Sequence, residues 1–456
     1  MLRFFVPRGV AVVGASNNAA NLGYVVMKNM QDAGFAGKIY PVNPKDAEVL
    51  GVHAYGSVSE IPTSEPVDLA VLLIPASDVP NVMRDCAERG VEYVIIESAG
   101  FSEAGEAGKR LEEEVIKIAK ENSMRVVGPN CLGSINTANN LVSIFVKYHA
   151  RKGHVAIIAQ SGGVGLLLLD WVCENLGLSK FVGLGNKCDV DEADLLEYLA
   201  EDVETKVVMI YMEGVKNGRR LLNAVKIAVR KKPVLVLKAG RFTTGMNAAK
   251  SHTGAMIADD SVVDAAFKQA GALRAETLEE LFDYAKCFAT QPLMRGGNIA
   301  VMSTSGGLGV VAADALGKYG LSLGKFSVTT LRVIKRCPYL KGNPLDLGQA
   351  GGDSDVYSKV LDALLADSNI DGIVIVVVFW AAGLERVVEA LKGVAERELR
   401  KPVVFCGVNG IHVIKDVEKQ IKSLESAGIP TYPSPERAVR ALAALRKYTV
   451  VRQATA

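Results

Sequence analysis

The sequence predicts an α/β protein with three domains, each built on a doubly wound parallel sheet. Short apolar strands alternate with amphipathic helices along the whole chain, which is the pattern of such sheets. The length of 456 residues is too great for one hydrophobic core and suggests three domains of ordinary size. The chain also contains an internal repeat, so two of the domains are expected to share one fold.

The first predicted domain spans residues 1–136 and begins with a strand, a glycine turn and a helix. Its predicted strands lie at 10–13, 39–42, 69–74, 93–96 and 125–127. Charge pairs four residues apart favour a helix at 111–121. We place the boundary to the second domain in the polar stretch 137–153.

The second and third predicted domains, residues 150–290 and 298–448, contain the repeat. Strands are predicted at 154–159, 207–211, 234–238, 299–302, 373–378 and 403–408, and a helix at 278–289. The segment VAIIAQSGGVG from Val155 aligns with IAVMSTSGGLG from Ile299. Each copy has a strand, a Ser-Gly-Gly turn and the start of a helix, so the two domains are predicted to be related folds.

Charge and composition disfavour several classes of protein. Lys and Arg number 52 and Asp and Glu 50, so the chain lacks the cationic excess of a general nucleic-acid binder. The longest apolar run, 373–382, is too short to cross a bilayer and is predicted to be a buried strand. The seven cysteines are scattered without a C-x-x-C pair, which indicates a reduced, cytoplasmic protein without a structural zinc site.

Glycine turns follow predicted strands at 14–16, 161–165 and 305–309. Glycine lets the backbone turn tightly and leaves the first amides of the next helix open to an anion. Positive φ angles would also arrange successive amides into an anion-binding nest. The two Ser-Gly-Gly turns therefore predict phosphate sites, with simple packing of helix on sheet as the alternative.

The first turn, in GASNNAANLG, departs from the G-x-G-x-x-G pattern of dinucleotide-binding domains. The acidic residue that would bind a ribose diol after the second strand is missing, and Lys45 follows that strand instead. An amine suits a phosphorylated ribose, so this domain fits CoA better than NAD. A turn that only connects strand and helix is the alternative.

One of the five histidines, His252, lies in a segment rich in Gly, Ser, Thr, Ala and Asn. Such a segment favours a mobile loop, and a histidine in it can be delivered to a partner. A catalytic role is therefore predicted for His252. The other histidines lie beside strands or turns and are predicted to be structural or surface residues: His53, His149, His154 and His412.

Glu213 follows the strand at 207–211, on the edge where the glycine turns are expected to gather. A carboxylate that accepts the Nδ1 proton of an imidazole fixes its tautomer and leaves Nε2 free to attack phosphorus. It also stabilises the cationic phosphoimidazole that forms. Glu213 is thus a candidate partner for His252, and a surface glutamate at a strand end is the alternative.

Six motifs occur in the order of a known family: GPNCLG at 128–133, QSGGVG at 160–165, YMEG at 211–214, KSHTGAM at 250–256, TSGGLG at 304–309 and GNPLDLG at 342–348. Over essentially its whole length the chain resembles the α subunit of ADP-forming acetyl-CoA synthetases, in the succinyl-CoA synthetase superfamily. The resemblance implies a Rossmann-like CoA-binding domain followed by two related flavodoxin-like domains, the first of which carries a phosphorylated histidine.

The resemblance also assigns roles to particular residues. His252 matches the phosphorylated histidine and Glu213 its supporting glutamate. The phosphate-binding helix ends of the second and third domains match Ser161, Gly162 and Gly163, and Ser305, Gly306 and Gly307. Asn130 and Cys131 match positions close to the CoA thiol. The positions that hold the CoA nucleotide and pantetheine match Gly14, Ser16, Gly23, Lys45 and Pro75.

The reaction implied by the resemblance is acyl-CoA + phosphate + ADP ⇌ carboxylate + CoA + ATP, through an acyl phosphate and phosphorylated His252. Nothing in the sequence resembles the ATP-grasp fold that binds the nucleotide. We therefore expect a separate ATP-grasp β subunit that holds ADP or ATP with Mg²⁺, in an assembly such as α₂β₂. We expect no metal site on this chain and no nucleic-acid or membrane partner. Acetyl-CoA is one candidate substrate, and the sequence does not decide between acetyl, branched, aryl and succinyl groups. It also does not decide between ADP and GDP as the nucleotide.

Two other classes of function are weighed against this reaction. A non-catalytic CoA-binding or regulatory module, as found attached to acetyltransferase domains, would be favoured by a residue other than histidine at position 252. An NAD-dependent oxidoreductase is disfavoured because no acid–base pair for hydride transfer is visible.

Overall fold

A computed structural model describes residues 1–245, 259–336, 340, 342–348, 354–379, 384–395, 399–409 and 414–455. The chain divides into two compact units, Met1–Glu276 and Thr277–Ala456. The first unit contains two sheets built mainly from parallel strands, and the second unit contains one. An α/β fold with three sheets is therefore confirmed.

The first sheet is Rossmann-like. Its strands are β1 (Gly9–Val13), β2 (Lys38–Val42), β5 (Leu69–Leu72), β6 (Tyr93–Ile96) and β7 (Arg125–Val127), with a small hairpin of β3 (Glu48–Val49) and β4 (Val52–His53) after β2. The order is β2-β1-β5-β6-β7, all parallel. A single parallel bridge from Val42 to Tyr55 extends the sheet beyond β2. With the Tyr55 segment counted as the third strand, this is the order 3-2-1-4-5-6 of dinucleotide-binding sheets.

The helices of this domain are α1 (Leu2–Phe5), α2 (Leu22–Ala33), α3 (Val79–Arg89) and α4 (Glu106–Glu121), with 3₁₀ turns at Ala76–Asp78 and Ser102–Ala104. Strands β1, β5 and β6 are buried along their length, and β2 and β7 over most of theirs, because helices cover both faces of the sheet. This is why the predicted strands are nearly continuous apolar runs.

The second sheet contains β8 (Gly133–Asn136), β9 (Leu141–Ile144), β10 (Lys152–Ala159), β11 (Leu178–Gly183), β12 (Val207–Met212), β13 (Val234–Lys238) and β14 (Leu273–Arg274). Its order is β14-β13-β12-β10-β11-β8-β9. The helices are α5 (Gly162–Asn175), α6 (Glu192–Glu201), α7 (Gly218–Val229) and α8 (Asp260–Ala270). The parallel strands from β10 to β14 have the flavodoxin-like order 2-1-3-4-5.

The third sheet contains β15 (Asn298–Ser303), β16 (Ser322–Leu323), β17 (Leu345–Asp346), β18 (Gly372–Phe379), β19 (Val403–Asn409) and β20 (Thr431–Tyr432). The helices of this unit are α9 (Leu278–Thr290), α10 (Gly306–Lys318), α11 (Val328–Ile334), α12 (Ser354–Ala366), α13 (Leu384–Ala395), α14 (Ile414–Ser426) and α15 (Pro435–Thr455). The order β16-β15-β18-β19-β20 is again 2-1-3-4-5, with β17 paired to β15. The repeat seen in the sequence is thus a repeat of topology.

Two features near the domain limits were not predicted. The hairpin of β8 and β9, next to and inside the stretch 137–153, joins the second sheet through antiparallel pairing of β8 with β11. Helix α9 packs against α15 and belongs to the second compact unit, which begins at Thr277. The sequence analysis had assigned this helix to the end of the second domain.

Candidate active site

The predicted CoA residues gather at one edge of the first sheet. Gly14 follows β1, Lys45 follows β2 and Pro75 follows β5, and all three strands are parallel. The side chains of Lys45 and Pro75 are exposed. Ligands of doubly wound sheets bind outside the carboxyl ends of the strands, so these residues lie where a ligand of this domain is expected.

The first glycine turn depends on two close approaches of the backbone. Gly14 has a φ of 90°, and a Cβ atom there would lie 2.5 Å from the carbonyl oxygen of Leu73. A Cβ atom at Gly23 would overlap the carbonyl oxygen of Gly14. Asn21 caps the same helix by accepting a hydrogen bond of 2.7 Å from the Gly23 amide. The turn therefore brings the amino end of α2 directly over the end of β1. Ser16 lies beyond the turn, where its Oγ accepts a 3.1 Å hydrogen bond from the Asn18 amide.

Asn43 is a residue of this edge that the sequence did not single out. Its Nδ2 donates to the carbonyl oxygen of Ala15 over 2.9 Å and to Asp46 Oδ2 over 3.0 Å, and its Oδ1 accepts from the Lys45 amide over 2.8 Å. Asn43 thus joins the loop after β2 to the glycine turn after β1. The signal that was available is an asparagine before proline at a strand end, which favours this kind of turn.

The loop that follows the carboxyl end of β7 contacts the loop that follows the carboxyl end of β11. Asn130 has a φ of 55°, and a Cβ atom at Gly185 would overlap the carbonyl oxygens of Pro129 and Asn130. Asn130 Nδ2 lies 3.4 Å from Asn186 Oδ1. Asn130 therefore lies at the junction between the first and second sheets.

Asn186 holds this junction together. Its Nδ2 lies 2.6 Å from Glu103 Oε2, 2.9 Å from Glu112 Oε2 and 3.1 Å from Ser102 Oγ. Burial opposes ionisation of Glu103, but hydrogen bonds, the strongest from Asn186, outweigh it and lower the pKa of this carboxyl group. Asn186 could not be predicted from the sequence, because all these partners are distant along the chain.

Cys131 is buried at 4% exposure, and its Sγ donates to the carbonyl oxygen of Ile96 over 3.3 Å. Burial raises the pKa of this thiol well above its ordinary value, and the nearby Glu97 raises it further. The thiolate is the nucleophilic form of cysteine, so Cys131 is not set up to attack a thioester.

The Ser161 turn leaves the amino end of α5 open. Ser161 caps the helix, with its Oγ accepting from the Val164 amide over 3.5 Å. Gly162 and Gly163 are exposed, and no described atom lies within 4 Å of a Cβ atom built on either. Their φ angles are not positive, so the predicted nest of left-handed glycines is wrong here. Glycine instead gives an anion access to the helix amides.

The Ser305 turn has a different environment. Gly306 and Gly307 are exposed and lack positive φ angles, so the predicted nest is wrong here too. Gly307 is open in the same sense as Gly163, but a Cβ atom at Gly306 would lie 2.8 Å from Asp346 Oδ2. Ser305 makes no side-chain cap, and its carbonyl oxygen accepts from Ser303 Oγ over 2.7 Å. The amino end of α10 therefore faces a carboxylate.

Glu213 lies just beyond β12 and is buried at 7% exposure, so the alternative of a surface glutamate is wrong. The amides of Glu213 and Gly214 both donate to Gln160 Oε1, over 2.8 Å and 3.2 Å. Tyr211 Oη donates to Glu213 Oε1 over 3.2 Å. Burial, and then the negative charge of Glu213, raise the pKa of Tyr211, which keeps this phenol protonated as a donor.

Lys187 holds the other side of the Glu213 loop. Its Nζ donates to Glu192 Oε1 and to the carbonyl oxygen of Gly214, both over 2.8 Å. The side chains of Lys187 and Glu192 are 2% and 4% exposed, so the ion pair is buried. Lys216 Nζ donates to the carbonyl oxygen of Lys187 over 2.6 Å.

His252, in residues 246–258, and His412, in residues 410–413, both lie outside the described residues. The described residues on either side of this segment are joined by charge. Arg241 Nε lies 3.4 Å from Asp260 Oδ2, and the buried guanidinium of Arg274 also pairs with Asp260. The exposed ring of His53 packs edge-on against Tyr55, and His154 Nδ1 lies 3.0 Å from the carbonyl oxygen of Glu204.

The part of the chain that the structure describes contains no group of three or more His, Cys, Asp and Glu side chains able to hold a metal ion. Within the same residues, no helix has the length and apolar character to cross a membrane.

Comparisons with known proteins agree with this architecture. Residues 8–137 match the CoA binding domain, and residues 152–288 match the succinyl-CoA ligase like flavodoxin domain. The fold and these domains define a CoA-binding protein of the succinyl-CoA ligase class.

Close relatives give the family. The α subunit of ADP-forming acetate–CoA ligase II of Pyrococcus furiosus is 42% identical over 450 residues, which cover 97% of this chain and 96% of the relative. The α subunit of ligase I of the same organism is 40% identical over 98% of this chain and 97% of its own length. This chain belongs to the family of ADP-forming acetate–CoA ligase α subunits.

A longer relative and solved structures extend the comparison. ADP-forming acetate–CoA ligase I of Archaeoglobus fulgidus is 40% identical over 99% of this chain, which spans 64% of that protein. The dinucleotide forming acetyl-coenzyme A synthetase 1 of Ca. Korarchaeum cryptofilum, in complex with phosphate and ADP, matches with a TM-score of 0.92 and 34% identity, over 99% of this chain and 97% of that one. A protein of Pyrococcus horikoshii OT3 matches with a TM-score of 0.84 and 38% identity, over 99% and 100% of the two chains.

Proposed function

We propose that this chain is the catalytic α subunit of an ADP-forming acyl-CoA ligase. The reaction is acyl-CoA + phosphate + ADP ⇌ carboxylate + CoA + ATP. The observation that carries the proposal is the contact of Gln160 with the Glu213 loop, because it joins a buried carboxylate to the start of the open Ser161 turn. A carboxylate and an anion-binding helix end are the two groups that a phosphohistidine needs.

In the first step, phosphate attacks the carbonyl carbon of the acyl-CoA, and CoA leaves as an acyl phosphate forms. The first domain holds CoA at the edge marked by Gly14, Ser16, Gly23, Lys45 and Pro75, with its thiol end towards Asn130 and Cys131. The amides at Ser161, Gly162 and Gly163 hold the phosphate. Such fixed donors are effective where negative charge develops, and loss of one typically costs roughly 10²–10³ in rate.

In the second step, His252 Nε2 takes the phosphoryl group from the acyl phosphate and releases the carboxylate. Glu213 accepts the Nδ1 proton of His252, which fixes the tautomer and balances the positive charge of the phosphoimidazole. Burial strengthens this interaction because little water screens it. A regulatory CoA-binding module, the alternative from the sequence, has no use for a buried glutamate held in this way.

In the third step, phosphohistidine passes its phosphoryl group to ADP on a partner subunit. The α-subunit names of two relatives, and the third of the A. fulgidus protein that this chain does not cover, support a partner with an ATP-grasp fold. That subunit would hold ADP or ATP with Mg²⁺, in a closed assembly such as α₂β₂. The amides at Ser305, Gly306 and Gly307 are proposed to act on phosphate in this later part of the reaction.

The test is phosphorylation of the purified chain. Acetyl-CoA and radiolabelled phosphate should give an acid-labile, base-stable label on the protein, which is the behaviour of phosphohistidine. The label should be lost when CoA and acetate are added, because the first two steps then run backwards. A chain that binds CoA but takes no label from any acyl-CoA would be a regulatory module instead.

A further inference from the structure

Glu97 lies directly after β6, on the edge of the first sheet that carries the proposed CoA residues, and the three steps above give it no role. Its side chain is 6% exposed. Neither Oε1 nor Oε2 has a hydrogen-bond partner among the described residues. Burial disfavours the charged form and raises the pKa of Glu97 well above its usual value. Burial thus favours the protonated form of Glu97, which has a proton to give.

The backbone around Glu97 leaves room for its carboxyl group. A Cβ atom at Gly133 would overlap Glu97 Oε1, and one at Gly128 would lie 3.0 Å from Cys131 Sγ. The two glycines, at the ends of the GPNCLG motif, thus keep side chains away from the acid and the thiol. The acid lies against this loop and not in the apolar layer that Ile96 enters on the other face of β6.

The same loop marks the place where the two substrates of the first step must meet. CoA belongs to the first domain, whereas the open amides for phosphate belong to α5 of the second domain. The carboxyl edges of the two sheets adjoin at Asn130, which packs on Gly185 and reaches Asn186. The thioester carbonyl therefore has to arrive near residues 128–131, within the neighbourhood of Glu97.

We propose that Glu97 is the general acid that protonates the CoA sulfur when phosphate cleaves the thioester. A phosphate oxygen bonds to the carbonyl carbon, the carbon–sulfur bond breaks with its electron pair on sulfur, and sulfur takes the proton from Glu97. The carboxylate then takes the remaining P–O–H proton of the acyl phosphate, which restores the acid. In the reverse direction Glu97 takes the proton of the CoA thiol. This assignment rests on the proposed function.

Two ways of labelling the protein separate this step from the rest of the reaction. Acetyl-CoA with phosphate requires cleavage of the thioester, whereas acetyl phosphate labels the histidine without a sulfur leaving group. Glu97→Gln keeps the size and neutrality of the side chain but removes its acidic proton. We expect labelling from acetyl-CoA and phosphate to slow by roughly 10²-fold or more in Glu97→Gln, as for loss of a general acid. Labelling from acetyl phosphate should stay within about three-fold of wild type, since no step in it uses this proton.

Further variants distinguish a chemical role from a structural one. Glu97→Asp keeps an acid and should recover part of the rate with acetyl-CoA. The rise in melting temperature on adding CoA should match wild type in Glu97→Gln, which checks that the domain is folded. Equal losses with both donors, or no loss with either, would overturn the role of Glu97. A wild-type chain that takes label from neither donor would instead overturn the proposed function.

Discussion

Gln160 Oε1 accepts the amide proton of Glu213 over 2.8 Å, and the same device occurs in the repeat. Thr304 occupies the position of Gln160 in the third domain, and its Oγ1 accepts from the Val378 amide over 3.0 Å. In both domains, the residue before the Ser-Gly-Gly turn binds the end of the neighbouring strand. The anion turn and the next strand end are therefore held together by one side chain, and in the second domain that strand end carries Glu213.

Gln160→Met should impair phosphorylation more than it impairs CoA binding. The change leaves the buried amides of Glu213 and Gly214 without an acceptor, at about 1–3 kcal/mol each, so the Glu213 loop should shift. We expect labelling from acetyl phosphate to fall by about 10-fold or more, measured by rapid quench. Thr304→Val removes the matching contact in the third domain and should leave this labelling unchanged. The same loss in both variants would indicate general destabilisation.

Glu213→Gln should slow the phosphorylation of His252 strongly and leave CoA affinity near normal. An amide oxygen still accepts a hydrogen bond but no longer balances the charge of a phosphoimidazole. Single-turnover labelling and CoA titration by calorimetry give the two quantities separately. Weaker CoA binding with a normal rate of labelling would contradict the assignment.

His252→Ala should abolish both the labelled protein and overall turnover, since His252 is the residue proposed to take the phosphoryl group. His53→Ala is the control, because His53 lies exposed in the β3–β4 hairpin and should leave both activities within a few-fold of wild type. Acid-labile label that persists in His252→Ala would place the phosphate on another residue.

The buried pair of Lys187 and Glu192 gives a prediction about stability. Lys187→Met leaves Glu192 buried without its cation and should destabilise the first unit by about 3–5 kcal/mol, measured by urea unfolding. Adding Glu192→Leu should recover much of that loss, because both charges are then gone. Phosphorylation should stay impaired in the double variant, since the bond from Lys187 Nζ to the Gly214 carbonyl is still missing. Recovery of labelling together with stability would show that Lys187 does not position the Glu213 loop.

The sequence predicted most of the longer strands because both faces of each sheet are covered, which makes these strands nearly continuous apolar runs. It missed β11, where Ser179 and Lys180 interrupt the apolar pattern. It also located Glu213 and the Ser-Gly-Gly turns, since strand ends and glycine turns are local features. It missed Asn186 and Gln160, which have partners 84 and 53 residues away along the chain. The prediction of positive φ angles at Gly162 and Gly163 was wrong, because a helix that begins on glycine needs open space there and not a left-handed turn. Glu97 was missed because a single glutamate after an apolar strand has the same pattern whether it is exposed or buried.

ATP formation is expected to need a second subunit. The proposed steps on this chain end at phosphohistidine. The described residues form doubly wound sheets and no ATP-grasp fold that would hold ADP. The purified chain with acyl-CoA, phosphate, ADP and Mg²⁺ should therefore form phosphohistidine but no ATP. Addition of an ATP-grasp subunit should start ATP formation, and His252→Ala should remain inactive in the same mixture.

The stoichiometry of that experiment is informative as well. If the phosphoryl group must cross to a second subunit, ATP output should rise with added partner and level off at one partner for each chain. Light scattering on the saturated mixture gives the assembly directly, and an α₂β₂ particle is the expected result because closed two-fold assemblies are the commonest among soluble oligomers. Robust ATP synthesis by the chain alone would contradict the subunit interpretation, because a nucleotide site would then have to lie within this polypeptide.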